Sequence, residues 1–493
     1  MATAQVPRGG TDAVAASPLG SGHPPHPRRP ADGMCDFTAV RKDFGLPAEF
    51  PTAALTEVEQ TVAQPVFEAD RVDATELPLV TVDPVGAKDL DQAVLLSRRG
   101  SGFRIEYAIA DVPAYVRPGG ALDAEVRRRG QTLYLPDGNV PLHPTLLSEG
   151  AASLLPDQVR PAVLWTIDLD SDGLAVRAQV RRALVRSVAQ LDYEGVQRSL
   201  RAGVAHSSIE LLPVIGRLRR AQALRRGAIE LGLPEQQVAA DESGGWRVAL
   251  RPRLVVEEWN AEISLLTGMC AAEMMLDAGI GILRTVPDPE PPTVAALRRS
   301  AARLGVEWPE DLPPAEALAG IDPVRPEALA VHVAATRLLR GAGYTSFDSS
   351  VPSKPRHAGI GAPYAHVTAP LRRLVDRYGA EVCLAVSEGR EVPGWVREAL
   401  PVLPSAMGSS DRVATQVERA CLAQAQAWSL AGRVGSVFPA TVLRTGAADG
   451  EVFIPDPPVI ARCAGDDLTE GQRIRVRLTQ ADPHRREVTF TTA

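Results

Sequence analysis

The 493-residue sequence has no long uninterrupted hydrophobic run. Its longest apolar stretch, around residues 263–275, is broken by Ser, Thr, Gly and Glu. It falls well short of the ~20 residues that a membrane-spanning helix requires. The first residues also lack the apolar segment of a secretory signal. We therefore expect no membrane association and a cytoplasmic location.

Cysteine is scarce as well. The five residues are Cys35, Cys270, Cys383, Cys421 and Cys463, which are far apart and form no CxxC pair. An odd number without close spacing argues against a disulfide framework and against a cysteine zinc site. The sequence predicts reduced and mostly buried thiols.

Lysine is almost absent, and the net charge of −7 is not that of a basic protein. Phosphate binding depends on Lys and Arg, so this average disfavours a nucleic-acid partner. However, all but three of the 53 basic residues are arginines, and Arg binds phosphate in a bidentate manner. Local patches therefore matter more than the total, although a GC-rich genome would also explain the excess of Arg.

Composition and periodicity divide the chain into five parts. Residues 1–33 have the Pro- and Gly-rich composition of a disordered tail, and residues 34–78 predict short helices. After residue 79 a strand-rich block is followed by several helical segments, and residues 401–432 predict a helical connector. In residues 433–493, four strand-like runs separated by turns predict a small closed β-barrel of the OB or S1 type.

An acidic loop follows the β-branched run Leu79–Val82. Asp83, Asp89 and Asp91 are spaced six and two residues apart, with Gly86 between them. Such a loop can direct carboxylate oxygens, the ligands that Mg²⁺ prefers, toward one point. A metal held in this way suits phosphodiester hydrolysis. Taken alone, however, three aspartates in nine residues more often form a solvated loop.

Six longer runs of sequence include this loop and extend beyond it. They are Val80–Ala93, Tyr107–Val116, Arg129–Asp137, Pro141–Glu149, Arg225–Ala228 and Tyr364–Arg373. Together they resemble the catalytic domain of the RNase II / RNase R (RNB) family of exoribonucleases, in the family's order. The resemblance covers residues 79–400 and implies an α+β domain with a mixed sheet and surrounding helices. The predicted barrel lies where that family carries its S1-type RNA-binding domain. The resemblance implies 3′-to-5′ hydrolysis of single-stranded RNA to nucleoside 5′-monophosphates, and no small-molecule cofactor.

The resemblance also implies a metal and two catalytic residues. Asp83, Asp89 and Asp91 would bind Mg²⁺, or alternatively Mn²⁺, and cleavage would depend on Asp91. Arg372 occupies the place of the family's catalytic arginine, in the run Thr-Ala-Pro-Leu-Arg. Its guanidinium would stabilise negative charge that develops on the scissile phosphate. A surface salt bridge is the alternative for Arg372.

Gln92 departs from the family pattern, in which two adjacent aspartates commonly end the loop. A Gln carbonyl can still ligate Mg²⁺, so Gln92 is predicted as a further metal ligand. The amide is neutral, and metal affinity should therefore be lower. The alternative is an RNA-binding protein of the same fold whose catalysis is weakened or lost.

Six side chains are implied to contact RNA: Tyr134, His357, Tyr364, His366, Thr368 and Arg373. Tyr134 would stack on a base near the 3′ end, which tolerates any sequence. A core position for Tyr134, buried histidines and an Arg373–carboxylate pair are the alternatives. Glu258, Glu418 and Asp111 are weaker candidates, and a structural role at a strand end explains Asp111 equally well.

Other features stay open at the level of the sequence. The 78 residues before the predicted catalytic domain cannot hold the two cold-shock-type barrels that family members usually carry, so a form without them is expected. A DNA nuclease is also an alternative, because sugar choice depends on contacts to the 2′-hydroxyl. The sequence does not indicate protein partners.

Overall fold

The computed structural model describes most of the chain. The described residues are 36–65, 70–233, 235–240, 246–251, 253–321, 326–446, 449–465 and 467–493. The predicted disordered tail, residues 1–33, lies outside them. Within the described ranges, every helix is too short or too polar to cross a membrane.

The first half of the domain is rich in strands. In chain order its elements are α1 (Thr38–Asp43), α2 (Thr52–Ala63), β1 (Val72–Asp73), β2 (Leu79–Asp83), β3 (Gln92–Arg99), β4 (Gly102–Ala110), α3 (Ala121–Arg129), β5 (Leu133–Leu135), β6 (Gly138–Val140), β7 (Val159–Leu169), β8 (Ala175–Asp192), α4 (Tyr193–Ala202), α5 (Leu212–Arg225), β9 (Glu235–Ala240) and β10 (Trp246–Arg251). Short 3₁₀ or π turns separate some of these elements.

Helices dominate the second half until the C-terminal barrel. The elements are α6 (Val255–Ala278), β11 (Ile280–Thr285), α7 (Pro291–Arg303), α8 (Pro314–Ala319), α9 (Pro326–Ala335), β12 (Gly343–Asp348), β13 (Arg356–His357), β14 (Ala362–Pro363), α10 (Leu374–Ser387), α11 (Gly394–Ala399), α12 (Leu403–Leu430), β15 (Val437–Thr445), β16 (Asp449–Pro455), β17 (Pro458–Ala464), β18 (Arg473–Asp482) and β19 (Glu487–Thr492).

A six-stranded mixed sheet in the order β1-β8-β2-β3-β4-β7 forms the centre of the domain. Its long strand β8 pairs with β7 through Ala175–Arg186 and with β2 through Ser187–Asp192. Because one strand joins both partners, the sheet curls back on itself. The parallel pairing also places Asp83, at the end of β2, opposite Asp192 at the end of β8.

Helix α6 covers one side of this sheet and supports the segment before α10. Gly279, in the left-handed conformation with φ of 71°, ends the helix. Gly268, in the middle of the helix, permits a close approach, since a Cβ there would lie 2.2 Å from the Tyr364 ring. Two buried free thiols, Cys270 and Cys383, lie in the same core, as the sequence predicts.

The C-terminal barrel closes in the order β15-β16-β17-β19-β18. The sequence predicts four strands, and the structure has five. The missed strand is β17, Pro-Val-Ile-Ala-Arg-Cys-Ala, which begins with a Pro and pairs with β16 across a two-residue turn. The predicted α+β class, with a mixed sheet, surrounding helices and a C-terminal barrel, is confirmed.

Candidate active site

The acidic loop joins β2 to β3 along a fixed path. Gly86 has a φ of 82°, which a glycine adopts without strain. Ser153 holds the far end of the loop, because its hydroxyl donates to the Lys88 carbonyl at 2.6 Å and accepts from the Leu90 amide at 3.0 Å. The loop thus returns to the sheet at Gln92, the first residue of β3.

Asp91 is buried against the segment that carries Arg372. The residue is only 4% exposed. Oδ1 accepts a hydrogen bond from the Leu371 amide at 2.8 Å, and Oδ2 lies 3.5 Å from Arg372 Nε. Burial raises the pKa of Asp91 to about 8, although Arg372 and the Leu371 amide oppose this rise. The two residues predicted as catalytic are therefore in contact.

Asp83 contributes a second carboxylate at low solvent exposure. Its Oδ2 is buried and has no hydrogen-bond donor among the described residues. Burial and, to a lesser extent, the charge of Asp89 raise the pKa of Asp83 to about 7, although Arg372 opposes this rise. Carboxylates that repel each other in this way provide the oxygen ligands that a hard divalent cation takes.

The spacing of these carboxylates is more open than that of a closed metal cluster. In the described part of the chain, no three His, Cys, Asp or Glu side chains are grouped closely enough to hold a metal ion. Asp89 is turned toward Tyr134, whose hydroxyl donates to Asp89 Oδ2 at 3.3 Å. The donor chemistry and the unpaired oxygen of Asp83 fit Mg²⁺ or Mn²⁺, and the predicted ligand set stays a prediction.

The side-chain amide of Gln92 is engaged at both ends. Nε2 donates to the Thr368 carbonyl at 2.6 Å. Oε1 accepts from the Tyr107 hydroxyl at 2.7 Å and from the Ser264 hydroxyl at 3.4 Å. The amide oxygen is thereby directed at the two hydroxyls, so the predicted role of Gln92 as a metal ligand would require the amide to turn away from them.

The turn Thr368–Arg373, which we call the arginine segment, is held through its backbone. Asp376 accepts from one of its amides at 2.7 Å, and His143 Nδ1 lies 3.0 Å from the Leu371 carbonyl. The Thr132 amide donates to the Arg372 carbonyl at 3.0 Å. The Arg372 side chain itself is 47% exposed. Its guanidinium is therefore fixed at the base and open to solvent at the tip.

His143 makes the stability of this region sensitive to acid. The side chain is buried, and burial lowers its pKa to about 4, below the ordinary value of 6.5. The unfolded chain takes up the proton first, so the stabilisation by neutral His143 is present above pH ~6.5 and is lost as the pH falls toward 4. The shift corresponds to about 3 kcal/mol.

We therefore expect His143→Asn to gain stability relative to the wild type as the pH falls. The difference in their free energies of unfolding, measured by urea denaturation at pH 7 and pH 4, should change by up to about 3 kcal/mol in favour of the variant. His484→Asn, at an exposed turn of the barrel, is the matched control. A constant difference between wild type and His143→Asn would contradict this expectation.

Tyr134 lies beside the acidic loop with its ring open to solvent. It is 53% exposed, whereas Leu133 and Leu135, its neighbours on β5, are buried. A cavity of about 430 Å³ adjoins the ring and is also lined by Arg372 and Glu418. An exposed ring, a guanidinium and a carboxylate around such a cavity can receive a base, a phosphate and a hydroxyl group. Tyr134 is thus not a core residue.

Three of the remaining predicted RNA contacts, His357, Tyr364 and His366, form an aromatic cluster. The ring of Tyr364 lies 6.0 Å from that of His357 and 5.3 Å from that of His366, and the Tyr344 hydroxyl is 2.9 Å from His366 Nδ1. Burial lowers the pKa of His357 to about 4 and that of His366 well below its usual range. Both histidines are therefore neutral near pH 7 and carry no charge for phosphate.

Tyr364 and Thr368 are only 6% and 3% exposed, so in this structure their side chains support the turn. Direct RNA contact through them stays a prediction. Arg373 is bound to Asp376 through two hydrogen bonds, which is one of the alternatives that the sequence left open.

The three weaker candidates fall in different places. Glu418 lines the cavity beside Tyr134. Glu258 lies 3.7 Å from Arg220. Asp111 is fully buried, and Arg182 and Arg71 donate to it at 2.7 and 2.6 Å. This ion-pair network gives Asp111 a structural role.

Sequence reasoning missed the residues that hold the arginine segment. Thr132 and His143 lie within the runs Arg129–Asp137 and Pro141–Glu149, but their local sequence does not indicate the contacts to Arg372 and Leu371. The sequence also does not indicate that Tyr107, on β4, and Ser264, on α6, both contact Gln92. The hydrogen bond from His143 to Leu371 spans 228 positions, and no local pattern reports such a contact.

Two family descriptions match the chain. The RNB domain matches residues 71–383, well over half of the sequence. The RNase II-type exonuclease C-terminal S1 domain matches residues 436–493, the region of the barrel.

Individual proteins that are similar to the chain include RNase R from two organisms and a pseudonuclease. Ribonuclease R of Thermotoga maritima is 27% identical over 448 residues, covering 85% of this chain and 62% of the relative. The chain therefore spans less than two thirds of that relative's length. Mycoplasma genitalium RNase R in complex with ribose methylated single-stranded RNA gives a TM-score of 0.82 at 20% identity, covering 93% of this chain and 77% of that one. Yeast Ssd1, described as a pseudonuclease, gives 0.67 at 17%, covering 89% and 53%. The structural likenesses show a shared fold.

Proposed function

This chain belongs to the RNase II / RNase R (RNB) family, and from that premise we propose that it is a 3′-to-5′ exoribonuclease acting on single-stranded RNA. The products are nucleoside 5′-monophosphates. The observation that carries the proposal is the contact between Asp91 and Arg372 beside a cavity that also adjoins the exposed ring of Tyr134.

Each group has a role that follows from its chemistry. The open ring of Tyr134 stacks a base near the 3′ end, and such stacking is indifferent to sequence. The guanidinium of Arg372 binds the scissile phosphate and stabilises charge that develops there. Asp83, Asp89 and Asp91 would hold Mg²⁺ or Mn²⁺, which would supply Lewis-acid stabilisation of the transferring phosphoryl group.

A second candidate function is RNA binding without cleavage. Two observations favour it: the engaged amide of Gln92 where the family commonly has Asp, and the open spacing of the carboxylates. The likeness to a pseudonuclease fold is compatible with it. The contact between Asp91 and Arg372 favours the enzyme, because an RNA-binding protein has no need for a buried carboxylate next to a phosphate site.

One cleavage experiment distinguishes the two candidate functions. The purified chain is mixed with 5′-labelled single-stranded RNA and Mg²⁺ or Mn²⁺, with EDTA as the control. We expect progressive shortening from the 3′ end, release of 5′-monophosphates detected by chromatography, and no reaction in EDTA. Binding of the RNA without shortening in either metal would reject the exonuclease and establish the second candidate. Shortening of a DNA strand of the same sequence at the same rate would reject RNA as the preferred substrate.

Tyr134 gives a separate prediction about RNA affinity. Tyr134→Ala removes the ring and is expected to weaken binding of single-stranded RNA by about 5- to 100-fold, as the loss of one stacked base does. Tyr134→Phe retains the ring, loses only the 3.3 Å contact to Asp89, and should bind nearly as well as the wild type. Fluorescence anisotropy in EDTA measures both. Equal affinity of Tyr134→Ala and the wild type would exclude stacking at this site.

A further inference from the structure

We infer that Gln92 is a positioning residue, which fixes the arginine segment against the acidic loop, and that its amide does not ligate the metal. The inference deepens the proposed function and rests on it. It explains why a neutral amide can stand where the family commonly has an aspartate.

Two neighbouring residues at the start of β3 hold the arginine segment at two points. Asp91 accepts from the Leu371 amide at 2.8 Å, and Gln92 donates to the Thr368 carbonyl at 2.6 Å. In the first contact the side chain of Asp91 is the acceptor, and in the second the side chain of Gln92 is the donor. The pair thus fixes both the distance and the rotation of the turn relative to the acidic loop. These two contacts join the segment to the acidic loop, whereas Asp376, His143 and Thr132 hold it from other elements.

Only a side chain with both a donor and an acceptor satisfies the surroundings of Gln92. The Thr368 carbonyl requires a donor, and an ionised carboxylate has none. The opposite side presents the hydroxyls of Tyr107 and Ser264, which lie 2.7 Å from each other. The Tyr107 hydroxyl donates to the amide oxygen at 2.7 Å. An amide meets both requirements at once.

A carboxylate at this position would disturb the segment that carries Arg372. Thr368 is 3% exposed, so its carbonyl would lose its donor in a buried setting, and a negative oxygen would face it. An unpaired buried acceptor is unfavourable enough to shift a turn. A displacement of about 1 Å at a catalytic group is enough to slow a reaction substantially. The effect is therefore expected on catalysis through Arg372 and not on metal affinity.

The test compares two isosteric variants with the wild type. Gln92→Glu replaces the NH₂ group by an oxygen, and Gln92→Met removes donor and acceptor together. Gln236→Glu is the matched control, since Gln236 donates to the Pro458 carbonyl at 2.8 Å in the barrel region. Mn²⁺ binding, with the metal alone, is followed by electron paramagnetic resonance. Cleavage kinetics and hydrogen–deuterium exchange of residues 366–373 are measured on the same proteins.

Both Gln92 variants are expected to lose about tenfold in kcat, to keep KM and Mn²⁺ affinity within about threefold, and to exchange faster in residues 366–373. Gln236→Glu should match the wild type in all three. If Gln92 is a ligand, Gln92→Glu will instead bind Mn²⁺ at least about tenfold more tightly, because a charged ligand replaces a neutral one. That result, or unchanged exchange in both variants, would overturn the inference. If the wild type itself cleaves no RNA, the proposed function fails, while Mn²⁺ affinity and exchange still decide the role of Gln92.

Discussion

Asp91→Asn is expected to abolish RNA cleavage while RNA affinity stays within about threefold of the wild type. The substitution keeps the shape of the side chain, and Asn Oδ1 can still accept the hydrogen bond from the Leu371 amide that Asp91 accepts at 2.8 Å. What it removes is the negative charge beside Arg372 and one oxygen ligand of the proposed metal site. Loss of such a group affects the transition state more than the bound RNA, and we expect kcat to fall on the order of 10³-fold.

The design of this experiment separates catalysis from folding. Because Asn keeps the volume of the Asp91 side chain and its hydrogen bond with the Leu371 amide, we expect the variant to fold, and urea denaturation checks this. Asp277→Asn, at an exposed position in the last turn of α6, makes the same chemical change far from the cavity and should cleave like the wild type. Single-turnover cleavage and anisotropy in EDTA measure the two effects. Degradation by Asp91→Asn at the wild-type rate would mean that cleavage does not depend on this carboxylate.

The elements of the fold with strong local patterns are those that sequence could predict. The apolar run from about Val256 to Ala278, followed by a Gly, predicts a helix from local sequence alone, and α6 spans Val255–Ala278. The alternating sequence Phe103–Ala110 predicts a half-buried strand, but β4 is buried over nearly its whole length. The polar residues of the alternation, Arg104 and Glu106, pair with Asp168 and Thr166 on β7. Whether a central strand is covered on both faces depends on tertiary packing, which the local sequence does not show.

The residues of the candidate site also differ in whether the sequence could assign their roles. Asp91 and Arg372 could be assigned because long runs around each resemble one family, and the structure brings them into contact. The partners of Gln92 could not be assigned from sequence, since Tyr107, Ser264 and Thr368 come from a strand, a helix and a turn far apart in the chain. A single side chain in a sequence does not reveal whether its amide faces a metal or a carbonyl.

Arg372 provides the other large expected effect. Its guanidinium contacts Asp91 through Nε and is 47% exposed toward the cavity, so its terminal nitrogens are free to meet a phosphate in a bidentate manner. Arg372→Lys keeps the charge but loses the planar fork and the Nε contact. We expect kcat to fall about 10²-fold for Arg372→Lys and on the order of 10³-fold for Arg372→Ala, with smaller changes in KM.

The Lys variant decides between the two roles that the sequence leaves open for Arg372. If the arginine only forms a salt bridge with Asp91, a lysine keeps the same charge and retains most of the attraction. Arg372→Lys would then cleave within about fivefold of the wild type. If the guanidinium binds the scissile phosphate, the loss appears in kcat even at saturating RNA, because the interaction strengthens as charge develops. Arg201→Lys, exposed at the end of α4, controls for the change of residue type.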